Sequence, residues 1–170
     1  MLENYQVVIA DDNAFVRKGL VSILGNYAEF QIVGEAGDGF ALLKLLSQGI
    51  SPDILVLDLS MPLLSGIEVI HRIRQMHFSF KILALTMHKE PHLLCQAFLA
   101  GADGYMLKNG TEEELLSALY ALAQDKVYLS PQIAEELPDR CRTKAAAEQG
   151  FSSCSIKHCG NSLIESPERI

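Results

Sequence analysis

The residues best suited to chemistry are five polar side chains that each follow an apolar run. Asp11 and Asp12 follow "QVVIA", Asp58 closes "DILVLD", Thr86 closes "KILALT" and Lys108 closes "GYMLK". Three carboxylates at one place repel, because like charges a few ångströms apart raise each other's pKa. A divalent cation relieves that repulsion. Hard oxygen ligands in small number, with water completing an octahedron, describe Mg²⁺ held through one or two carboxylates and a phosphate oxygen. Lys108 adds a compact positive charge and Thr86 a hydroxyl. Such a set can neutralise and orient the oxygens of a transferring phosphoryl group, so phosphoryl transfer to an aspartate is the chemistry it suits. Taken singly, an Asp after a strand also reads as a turn or helix-cap residue. The agreement of four strand ends is what favours the chemical reading.

Bringing these residues together requires elements that end at one edge. The apolar runs at 6–10, 30–36, 53–58, 81–86 and 104–108 alternate with longer stretches of helical spacing. The middle runs are apolar on both faces, as expected of parallel strands covered by helices on each side. Phe15, Leu20, Ile23 and Leu24 form the apolar positions of a first helix. Further helical patterns cover 39–48, 65–76, 89–102 and 111–125, the last opening with Thr111 and Glu114, a capping box. Strict alternation predicts an α/β fold, a doubly wound five-stranded parallel sheet with right-handed crossovers. Open sheets of this kind bind ligands beyond the carboxyl ends of their strands, where strand order switches. All five candidate residues fall at those ends.

The 170 residues suit one ordinary domain, and 49% hydrophobic with 21% charged residues suits a globular chain with a core. A net charge of −7 gives no general affinity for nucleic acid. No apolar run approaches the roughly 20 residues that span a bilayer, and the N-terminus lacks a signal-peptide pattern, so a cytoplasmic protein without membrane contact is expected. Cys95, Cys141, Cys154 and Cys159 match no compact zinc spacing and are expected as reduced, unpaired thiols.

The stretches "VVIADDNAFVRKGL", "DILVLDLSMPLLSGIEVIHRIR", "ILALT" and "AGADGYMLK" resemble the receiver domain of two-component response regulators. The resemblance covers about residues 5 to 137, and "MPLLSGIEV", "AGADGYMLKNGTEEEL" and "VYLSPQIAEEL" make it similar to the NarL/FixJ type. It implies a flavodoxin-like (βα)5 receiver in which Asp58 accepts a phosphoryl group from a phosphohistidine on a sensor histidine kinase. Asp11 and Asp12 match the acidic pair that holds Mg²⁺ with Asp58, and the backbone carbonyl of Ser60 matches a further metal ligand. Thr86 and Lys108 match the residues that bind the acyl phosphate oxygens, and Tyr105 matches the switch aromatic that turns when the threonine moves. Ser60 and His88 match the positions that tune the lifetime of the phosphate. Asn109 stands where many receivers carry proline, a departure the NarL/FixJ type commonly shares.

The resemblance implies a signalling protein rather than an enzyme, one that catalyses its own phosphorylation and slow autodephosphorylation. A phosphatase with an aspartyl-phosphate intermediate is the rival from another class. It would carry Asp-x-Asp after the first strand, where this chain has adjacent acids. A receiver is expected over 1–126, the start of a short helical linker over 127–137, and an irregular tail over 138–170 without a helix-turn-helix domain. DNA binding by this chain alone is therefore not expected. The signal would leave through protein contacts, as a homodimer or as a heterodimer with a full-length relative. The alternative is a transcriptional regulator of the NarL/FixJ type that acts on DNA through a partner or a truncated output region.

Overall fold

Runs rich in β-branched and aliphatic residues become strands that alternate their side chains between two faces. In β3 (Ile54–Asp58), Leu55 and Leu57 enter one apolar cluster while Ile54 and Val56 enter the other. The same alternation runs through β1 (Tyr5–Ala10) and β4 (Lys81–Thr86), so the central strands are buried on both faces. A computed structural model describes residues 4–87 and 89–134. In it, β2 (Phe30–Ala36), β1, β3, β4, β5 (Gly104–Leu107) and β6 (Tyr128–Leu129) lie in that order in one parallel sheet. The helices α2 (Gly39–Ser47), α3 (Gly66–Gln75) and α4 (Pro91–Ala100) contribute to one cluster, and α1 (Ala14–Leu24) and α5 (Glu112–Ala123) to the other.

Helix starts follow from local side-chain chemistry. Asn13 Oδ1 accepts from the amides of Phe15 and Val16, and Ser65 Oγ from the amide of Glu68. Thr111 and Glu114 form the expected capping box, each satisfying the other's backbone amide.

Two expectations are corrected. The sheet has six strands, not five, because "YL" at 128–129 pairs with β5 where only a helical linker was expected. The sheet thus continues past residue 126, and a short helix, α6 (Pro131–Ala134), follows; the rest of the expected linker and the tail lie outside the described residues. Phe15, one of the apolar positions of the first helix, lies in the first turn of α1 and is 88% exposed. Cys95 is in a disulfide, against the expectation of reduced, unpaired thiols.

One glycine fixes how the third strand meets its helix. A Cβ on Gly66 would lie 2.4 Å from the Asp58 carbonyl oxygen and 2.6 Å from the Leu59 Cα, both backbone atoms that cannot swing aside. The Gly66 amide donates to the Leu59 carbonyl at 3.0 Å across that close approach. Gly66→Ala is therefore expected to cost about 1–3 kcal/mol by overpacking, read as a lower urea midpoint at unchanged slope. A variant as stable as the parent would show that the α3 start has room the structure does not provide.

Candidate functional site

Strand order reverses between β1 and β3, which lie side by side while β2 flanks β1 on its far side. Asp11 directly follows β1 and Asp58 ends β3, so both stand at this switch point. Asp11 is held by its backbone and by its own turn. Its amide donates to the Ala36 carbonyl at 3.1 Å, its Oδ1 accepts from the Asn13 amide at 2.8 Å, and Arg17 Nη1 donates to its carbonyl at 2.7 Å. Asp12, the next residue, is exposed at the mouth. Asp58 is buried, with Oδ1 accepting from the Ser60 amide at 2.9 Å.

Lys108 arrives from β5, its amide donating to the Thr86 carbonyl at 2.8 Å and so tying the ends of β4 and β5 together. Its Nζ lies 2.8 Å from Asp11 Oδ2 and 2.8 Å from Asp58 Oδ2, with all three side chains almost fully buried. The ammonium bridges the two carboxylates. Those two oxygens have no other hydrogen-bond partner among the described residues. Burial pushes the Asp58 carboxyl above the usual carboxylate range and the nearby Asp11 charge adds to this, while Lys108 and the Ser60 amide oppose it without reversing it. For Lys108, burial would lower the pKa, but bonding to Asp11 and Asp58 outweighs that and holds it above the ordinary lysine value.

Ligand oxygens of Asp11, Asp12 and Asp58 lie within 4.8 Å of one another. Three carboxylates less one ammonium leave a formal charge of −2 at the mouth, which a divalent cation would cancel. Two buried acceptor oxygens with no partner but an ammonium, next to an exposed third carboxylate, suit a small hard cation that keeps part of its water.

Thr86 and Tyr105 are both buried beside this cluster. The Tyr105 ring stacks on Phe98 of α4, with centroids 6.3 Å apart. Its hydroxyl is buried without a well-formed hydrogen bond among the described residues, and burial pushes its pKa well above the tyrosine range, opposed by the Thr86 side chain nearby. The structure thus brings Asp11, Asp12, Asp58, Thr86, Lys108 and the Ser60 amide to one mouth, while His88 lies outside the described residues.

The family model for the response regulator receiver domain matches residues 7–120. The chain belongs to the response regulator receiver family. Among curated proteins, this receiver is 33% identical to the probable transcriptional regulatory protein NarL of Mycobacterium tuberculosis. That match spans 144 residues, 85% of this chain and 66% of the relative, just under two thirds of its length. Among solved structures it is similar to the isolated receiver domain of RcsB from Salmonella enterica serovar Typhimurium, determined in the presence of phosphomimetic BeF3−. The identity is 32% and the TM-score 0.74, with 80% of this chain and all of that one covered. A structure of two RcsB dimers bound to two parallel DNAs matches at 30% identity and TM-score 0.74, covering 88% of this chain and 79% of that one. This is a signalling receiver of the NarL type with the flavodoxin-like fold of its relatives. No helix among the described residues is long and apolar enough to cross a membrane.

The sequence reading missed the residues that hold the site's frame rather than its chemistry. Arg17 on the Asp11 carbonyl and Gly66 against Asp58 act on backbone atoms, and no side-chain pattern announces such a contact. Ser60 was read for its carbonyl and its position, yet its amide is what orients the Asp58 carboxylate.

Proposed function

We propose that this receiver takes a phosphoryl group from the phosphohistidine of a sensor histidine kinase onto Asp58. The observation that carries the reading is the shared ammonium, with Lys108 Nζ at 2.8 Å from both Asp11 and Asp58 inside a cluster of three carboxylates. An Asp58 oxygen attacks phosphorus, the phosphorus–nitrogen bond of the donor breaks, and the imidazole nitrogen leaves with the electron pair. Asp11, Asp12, Asp58 and the Ser60 carbonyl would hold Mg²⁺, which supplies positive charge to the phosphoryl oxygens when bound. Lys108 follows the charge: it is already within reach of Asp58 and can bind a new phosphoryl oxygen while keeping its Asp11 partner. Orientation comes from the Ser60 amide, which fixes one Asp58 oxygen and leaves the other to react. Thr86, buried at the neighbouring strand end, offers its hydroxyl to the phosphoryl group, and its movement changes the surroundings of Tyr105. Ser60 and His88 are assigned the tuning of the phosphate's lifetime.

The output is a shift in population on the α4 and β5 side, read by protein contacts that include pairing with a second copy or a full-length relative. Relatives described as transcriptional regulatory proteins support a second reading, in which the signal reaches DNA through a partner chain.

The metal requirement gives a direct test. Incubation with acetyl phosphate is expected to yield a single phosphoryl adduct by intact mass when Mg²⁺ is present, and none when EDTA replaces it. Equal uptake with and without metal would overturn the assignment of Asp11 and Asp12 as metal ligands.

A further inference from the structure

The short segment after α5 lies on the strand that carries Tyr105. Tyr128 and Leu129 pair with Gly104 and Tyr105, and the Ser130 amide donates to the Tyr105 carbonyl at 3.1 Å. Beyond it, α6 rests against β5, and Ile133 is fully buried in the cluster that also holds Tyr105 and, from α4, Leu94 and Ala97. What would be an exposed sheet edge beside the switch aromatic is therefore covered by the chain's own residues 128–133.

The attachment is small. β6 has two residues and α6 four, and besides the short β5–β6 ladder the Tyr128 amide donates to the Asp103 carbonyl, Ser130 to Tyr105 and Ile133 to Ser130. Two hydroxyls in this region, Tyr105 Oη and Ser130 Oγ, are buried without a well-formed hydrogen bond among the described residues, which offsets part of what apolar burial contributes. Elements this short, held by few contacts, open locally at low cost. The Tyr105 ring is fully buried already, so any displacement of it must leave or fill space within the cluster that seats Ile133.

We infer that residues 128–134 form a latch over β5, seated while Tyr105 keeps its present packing and released when Asp58 is phosphorylated. The inference rests on the phosphoacceptor reading above and gives that signal a definite first recipient within the chain. Thr86 is the link. Drawn toward a phosphoryl oxygen, it leaves the neighbourhood of the Tyr105 hydroxyl, the ring moves into the vacated space, and the support under Leu129 and Ile133 is lost. Release frees the β5 edge and the adjoining α4 surface for a partner.

Amide hydrogen exchange of the full chain, with intact mass measured on the same samples, tests the latch. With Mg²⁺ and acetyl phosphate the account predicts a phosphoryl adduct together with about tenfold faster exchange at 128–134, while β1 and β3 stay protected. An adduct with unchanged or slower exchange at 128–134 would overturn the latch and leave the phosphoacceptor reading standing. Absence of any adduct would overturn both. Ile133→Ala supplies the second measurement: exchange at 128–134 is expected to be fast without phosphorylation and to rise little with it. A variant that retains the parent's protected state and full phosphorylation response would contradict the seat assigned to Ile133.

Discussion

Lys108→Met is expected to lower unfolding stability by about 3–5 kcal/mol in metal-free buffer, the usual result of removing one partner from a buried ion pair. The cause is specific. Asp11 and Asp58 share one ammonium at 2.8 Å each, and neither outer oxygen has another hydrogen-bond partner among the described residues. Methionine conserves much of the side chain's length but leaves two buried carboxylates facing each other. Urea denaturation in EDTA would show the loss as a lower midpoint, and Mg²⁺ is expected to restore more stability to the variant than to the parent. A change below about 1 kcal/mol would mean that the two carboxylates do not depend on the ammonium.

The pH dependence follows from the direction of each shift. Lys108 has its folded pKa raised, so its contribution is fully present below the ordinary lysine value and is lost as pH rises through the higher folded value. The parent should therefore lose stability on the alkaline side of the lysine range, and Lys108→Met should lack that loss. Asp58 is raised as well, chiefly by burial, so its ionised form opposes folding above the folded pKa and relief comes as pH falls through it. Without the ammonium that penalty grows, and the variant is expected to gain stability relative to the parent on acidification toward the carboxylate range.

The second large effect is expected far from the mouth, at the amino end of β5. Arg74 of α3 donates to the carbonyls of Gly101, Phe78 and Phe80 and to Asp103 Oδ2 at 2.8–3.1 Å. The same Asp103 oxygen accepts from the Ile82 amide at 2.9 Å, and the Asp103 side chain is only 9% exposed. One guanidinium thus joins α3, the end of α4 and the starts of β4 and β5. Arg74→Met would strand these acceptors and a nearly buried carboxylate, with Lys81 at 3.8 Å from the other oxygen as a weak substitute. A loss of about 3 kcal/mol is expected by denaturation, discounted from a fully buried pair because the arginine is 25% exposed. Phosphoryl uptake by the folded variant should match the parent, since the clamp sits at the opposite end of the sheet from Asp58. Impaired uptake in fully folded protein would mean that the clamp also sets the mouth.

Much of the site was legible because chemistry and topology coincide in one short pattern. Asp11, Asp58, Thr86 and Lys108 each end or follow an apolar run, and a parallel sheet must gather such ends on one edge. That Lys108 bridges Asp11 and Asp58 before any phosphate arrives was not legible, because pairing depends on where strands end in space. The Arg74 clamp was invisible for a related reason: its acceptors are mostly backbone carbonyls, and Asp103 is 29 positions away. β6 was missed because two residues cannot display a period, so "YL" gave no alternation to read. Helical spacing lists Phe15 with the apolar positions of α1, and spacing alone does not say that a residue in the first turn after the Asn13 cap stays exposed.

The central claim is that Asp58 accepts the phosphoryl group. Intact mass of the parent and of Asp58→Asn after incubation with Mg²⁺ and acetyl phosphate tests it most directly. The account predicts one phosphoryl adduct on the parent and none on the variant, with both chains folded by circular dichroism. An unmodified parent, or an adduct of the same size on Asp58→Asn, would contradict it.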